Sequence, residues 1–137
     1  MTNRLRLLAA GILVALVAGC AQMGAAPRGH TYSTVVQVAL SDWKPAANTA
    51  GQTGFVVDLD VPQIDQSVVD GGGVAVYYRF KGAPRYEPLP LVFNGVIYHA
   101  YHSKGVLSLR MFSANGGNLG QKPPPEVTDF EAKIVIF

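Results

Sequence analysis

This chain has few of the residues that most often carry chemistry. It holds one cysteine, Cys20, so it can form no internal disulfide, no Cys-x-x-Cys redox pair and no zinc-cysteine site. Charged residues make up only 15% of the chain, and no basic cluster stands out. Nucleic-acid binding needs such a cluster, and it is not expected here. No G-x-S-x-G elbow is present. Gly71-Gly72-Gly73 is not followed by the Lys-Ser/Thr of a phosphate loop. No apolar run reaches the roughly 20 residues of a spanning helix. No catalytic residue, cofactor or metal site is therefore assigned, and the chain does not read as an enzyme.

What is present begins at the N-terminus. Arg4 and Arg6 precede an apolar run from Leu7 to Val17, and Ala18-Gly19-Cys20 closes it. Positive charge, apolar core and small residues, in that order, form a secretory signal. The cysteine after Gly19 resembles the lipobox of bacterial lipoproteins. That resemblance implies a diacylglyceryl group on the Cys20 thiol, cleavage between Gly19 and Cys20, and acylation of the new amino group. One acyl chain holds a protein to a membrane only marginally, whereas two or more hold it stably. Residues 1–19 are thus expected to be a signal peptide with a helical core. Residues 20–30 are expected to be the lipidated cysteine and a flexible tether, and residues 31–137 the working domain.

Cleavage alters the charge. The whole chain has 11 Lys+Arg and 9 Asp+Glu, a net +2. Arg4 and Arg6 leave with the signal, so nine of each remain and the mature chain is formally neutral. Ala21 follows the cysteine, where an aspartate would point to inner-membrane retention. By the sorting rule of some lipoproteins, this favours the outer membrane, on its periplasmic or its surface face.

From Thr31 onward the chain alternates. Tyr32, Thr34, Val36, Val38 and Leu40 share one face, as do Phe55, Val57, Leu59 and Val61. Val74, Val76, Tyr78 and Phe80 form a third set, and Phe130, Ala132, Ile134 and Ile136 a last one. Ile64 to Asp70 fits one helical turn, broken by the glycines at 71–73. Asn94-Gly95 between Leu91–Phe93 and Val96–Tyr98 predicts a type I′ hairpin. Ser103-Lys104-Gly105 predicts a second tight turn before Val106–Phe112. Lys81–Pro90 reads as a proline-interrupted connection with a short edge segment, and Ser113–Thr128 as a long irregular one with Pro123-Pro124-Pro125. The pattern predicts an all-β fold, an antiparallel β-sandwich of about seven strands and immunoglobulin-like size. The order of the strands is not readable from it.

The same residues carry a wider resemblance. Tyr32–Leu40 with Asp42-Trp43, Val61-Pro62 with Ile64, and Gly73-Val74-Ala75-Val76-Tyr77 come first. Pro88-Leu89-Pro90, Gly105-Val106 and Phe130 with Lys133-Ile134-Val135-Ile136 follow. In this order they resemble a group of small bacterial lipoproteins of unknown activity. The chain lacks the collagen-like Gly-X-Y stretch frequent in that group, and Tyr86 stands where a tryptophan is expected. The resemblance implies a lipid anchor and a β domain, and no catalytic residue.

Candidate binding residues are few. Arg79, Lys81 and Arg85, with Tyr77, Tyr78 and Tyr86, concentrate cations and aromatics around one connection, and Trp43 stands apart between the first two strands as a further candidate. They suit an envelope protein or a glycan, or else a solvated hairpin tip, with Trp43 in the core. His99 and His102 form H-x-x-H, but on a strand residues three apart face opposite ways. Asp58, Asp60, Asp65 and Asp70 do not make a calcium loop, and read as a solvated strand face and turn. Partners beyond the membrane contact through Cys20, and the oligomeric state, are left open.

Overall fold

The structure is a computed structural model, and it describes residues 31–124 and 129–137. The signal peptide, Cys20 and the tether lie outside the described residues, as do Pro125 to Thr128. Two antiparallel sheets face each other. In chain order the strands are β1 (Tyr32–Val38), β2 (Lys44–Ala47), β3 (Thr53–Asp60), β4 (Val74–Phe80), β5 (Glu87–Pro88), β6 (Leu91–Phe93), β7 (Val96–Ser103), β8 (Val106–Ser113) and β9 (Phe130–Ile136). One sheet runs β1-β9-β4-β5 and the other β2-β3-β8-β7-β6. The chain changes sheets four times, after β1, β3, β5 and β8.

The all-β sandwich is as the alternation predicts, with nine strands among the described residues in place of about seven. The two additional strands are short and lie at sheet edges. Pro45 interrupts the alternation at Lys44–Ala47 and hides that strand from the sequence, whereas Glu87–Pro88 is the short edge segment expected between Lys81 and Pro90. Both prolines are tolerated because an edge strand needs ladder bonds on one side only.

Period-two patterning sets the core. Val38, Val76, Tyr78, Phe130, Ala132, Ile134 and Ile136 point inward from the first sheet. Phe55, Val57, Val96, Tyr98, Leu107, Leu109 and Met111 meet them from the second. Tyr78 packs on Phe130 with ring centroids 4.4 Å apart and edge-on to Tyr98 at 5.6 Å. The Tyr78 hydroxyl is buried without a hydrogen-bond partner among the described residues, and burial pushes its pKa well up.

Local signals set the connections. Asn94 and Gly95 both have positive φ, 48° and 75°, as a type I′ turn requires. The helical turn α1 (Gln66–Gly71) is capped by Asp65, whose carboxylate accepts from the Val68 N–H at 3.1 Å. Ile64 is fully buried beneath it, and Val68 packs against the core.

Candidate functional site

The outer face of the first sheet gathers most of the predicted binding residues. The register places Gln37 of β1 opposite Glu131 of β9, and Glu131 opposite Arg79 of β4. One row further along, Val35, Lys133 and Tyr77 align. Alternation sends all six outward.

Glu131 is the centre. Its Oε1 accepts from Gln37 Nε2 at 2.9 Å. Its Oε2 accepts from Arg79 Nε at 2.8 Å, from Arg79 Nη2, and from the Tyr86 hydroxyl at 2.8 Å. The bonds from Gln37, Tyr86 and Arg79 hold the Glu131 carboxyl below its ordinary pKa. The hydrogen bond donated to Glu131 raises the Tyr86 phenol. The Tyr86 ring also lies under the Arg79 guanidinium, 4.7 Å from its centroid, and near Lys133 Nζ at 5.8 Å. A carboxylate held ionised by three partners is unsuited to donate a proton at neutral pH. The arrangement positions side chains and fixes a surface.

A cavity of about 450 Å³ opens at one end of this face, where β1 and β4 stop and β9 begins. Gln37, Arg79, Lys81, Asp129 and Glu131 supply its polar lining, and Phe80 contributes an apolar wall. Lys81 Nζ and Asp129 Oδ2 stand 4.0 Å apart with both side chains largely exposed. Such a pair holds little energy and leaves both groups open to a ligand or partner. Arg85 is engaged with Glu87 at 2.8 Å, also in solvent.

Trp43 is not part of this surface. It is 6% exposed, and its ring packs on Phe130 at 5.7 Å. As a binding residue it is corrected to a core residue, because the turn at Leu40–Asp42 carries the chain inward between β1 and β2. Tyr77 is half-buried beside Pro88 and Lys133.

The remaining titratable residues are dispersed. His99 faces outward opposite Arg110 and stacks on Tyr101 at 5.8 Å, while His102 falls on the other parity of β7. Asp58 accepts from the Ser108 hydroxyl at 2.6 Å, and Asp70 from Gln66 Nε2 at 2.8 Å. Among the described residues no three His, Cys, Asp or Glu gather as a metal site would require.

Sequence reasoning did not single out Glu131 or Gln37. Glu131 reads as one polar position in an alternating strand, and its partners lie 45 to 94 positions away. It also passed over Tyr101, which is 53% exposed with the Arg110 guanidinium 5.4 Å from its ring.

Comparison with known proteins finds no family model, no curated protein and no solved structure that matches this chain.

Proposed function

We propose that the protein is a lipid-anchored lipoprotein of the bacterial cell envelope, whose β-sandwich acts through contacts with other envelope components and performs no catalysis. One observation carries the reading: Arg4 and Arg6, the apolar run Leu7–Val17, and Ala18-Gly19-Cys20 stand in the order of a lipoprotein signal. Ala21 in place of an aspartate favours the outer membrane under the sorting rule above. β1 begins at Tyr32, soon after the tether, and the cavity lies at the far end of that strand beside Val38. Six residues of strand cover about 20 Å. The cleft of Lys81 and Asp129 is therefore about 20 Å from the start of β1.

The alternative, a glycan-binding module, has lost the flat platform of Trp43 to the core. Tyr86 is engaged by Glu131 and Arg79. Tyr101 remains as its exposed tyrosine, and contact with a protein is the preferred reading.

The experiment is metabolic labelling with an alkyne fatty acid in cells expressing the full chain. Wild type should take up label and sediment with membranes, and Cys20→Ser should do neither. An unlabelled wild type, or a mature N-terminus other than Cys20 by mass spectrometry, overturns the proposal.

A further inference from the structure

Among the described residues four strands lie at sheet edges, and three of them are blunted. β2 carries Lys44 and Pro45, β5 is two residues long and ends in Pro88, and β6 is three residues long, between Pro90 and Asn94. Short length, proline and lysine are the usual devices that stop an edge from recruiting another strand. β1 has none of them. It is seven residues long, Tyr-Ser-Thr-Val-Val-Gln-Val, with no charge, no proline and no glycine. It pairs with β9 on one side, and among the described residues no strand pairs on the other, which offers a row of backbone donors and acceptors. Val35, at its middle, is 48% exposed.

We propose that β1 is a homodimerisation edge, and that two copies of this chain pair antiparallel through Tyr32–Val38 about a twofold axis at Val35. The strand is complementary to itself in that register. Val35 meets Val35, Ser33 meets Gln37, Thr34 meets Val36 and Tyr32 meets Val38. On the outer face this sets one apolar pair between two Ser–Gln pairs, and no like charges oppose each other. A partner of strong charge finds no complement on β1. The contact is isologous and uses the one long unprotected edge of each copy among the described residues, so it closes at two. It joins two four-stranded sheets into one of eight strands. The inference does not depend on acylation of Cys20.

The test uses the full chain in detergent micelles. Antiparallel partners lie about 4.5–5.5 Å apart at Cα, within the span of a disulfide. Under mild oxidation Val35→Cys should give a dimer of twice the chain mass, at least about tenfold faster than Val92→Cys on β6, although Val92 is the more exposed position, 62% against 48%. Wild type is the control for any free thiol at Cys20. Val35→Lys sets two ammonium groups face to face and should convert the dimer to monomer by light scattering, with the circular dichroism of the fold retained. A monomeric wild type overturns the proposal, as does equal cross-linking of Val35→Cys and Val92→Cys. Cross-linking of Val35→Cys to a chain of another mass also overturns it.

Discussion

Gly73 and Phe137 exchange both of their backbone hydrogen bonds, Gly73 N–H to Phe137 O at 2.7 Å and Phe137 N–H to Gly73 O at 3.0 Å. A Cβ on Gly73 would sit 2.5 Å from the Phe137 ring. The pairing carries the β4–β9 ladder one residue past Val74 and Ile136 and ties down the end of the chain. Deleting Ile134–Phe137 should therefore abolish folding. The deletion removes two core residues, Ile134 and Ile136, and the partners of both β1 and β4. Two such residues at ~2–5 kcal/mol each already approach the whole stability of a domain. Loss of near-ultraviolet circular dichroism would show it.

Two glycines make similar contacts with different consequences. At Gly73 the obstacle is an exposed terminal ring that can swing aside, so Gly73→Ala should cost about 1 kcal/mol or less. At Gly54 a Cβ would lie 2.1 Å from the Met111 carbonyl oxygen and 2.6 Å from the Phe112 ring. The carbonyl belongs to the β3–β8 ladder and cannot move without breaking it. Gly54→Ala should cost about 3 kcal/mol or more. Chemical denaturation of the two variants side by side measures the difference.

Acid should weaken the fold through Glu131. Its folded pKa lies below its ordinary value, chiefly because Gln37, Tyr86 and Arg79 donate to the carboxylate. The stabilisation is present above the ordinary glutamate value, about pH 4.3, and is lost as pH falls through the folded pKa. The Asp65 cap, lowered by Ser67 and then Val68, adds in the same direction. Tyr86 acts at the other end. Its raised pKa means that its contribution holds at neutral pH and is lost as pH climbs through the folded value. The Tm of wild type should exceed that of Glu131→Gln at pH 7, and the gap should begin to narrow near the ordinary glutamate value and close as pH falls through the lower folded pKa. A constant gap would show that the ionised carboxylate contributes nothing.

Trp43 is the only tryptophan, so fluorescence reports on one place. Its burial against Phe130 predicts a blue-shifted emission that resists quenching by iodide and shifts red on unfolding. Its Nε1–H is buried with no hydrogen-bond partner among the described residues. Trp43→Phe therefore removes an unsatisfied donor along with some volume, and should cost less than the ~3–5 kcal/mol expected of Trp43→Ala. Emission that soluble glycans quench or shift would contradict the core position.

Alternating residues write the inward faces into the chain. Tyr32, Thr34, Val36 and Val38 were legible as one face of β1, and Phe130 to Ile136 as one face of β9, because side chains reverse at every step of a strand. The Asn94-Gly95 turn was legible because few residues adopt positive φ there. The expected anchor at Cys20 also rests on local order alone. None of these signals depends on which strands are neighbours.

Neighbours are what the tertiary structure decided. β9 lies between β1 and β4, and only that order brings Gln37, Arg79 and Tyr86 to one carboxylate on Glu131. Trp43 went to the core and β2 formed despite Pro45, because an edge position and a tight turn outweighed local preference. Period and turn chemistry act over a few residues and can be read from them. Strand order joins segments far apart in sequence, and is settled by how the two sheets close over one core.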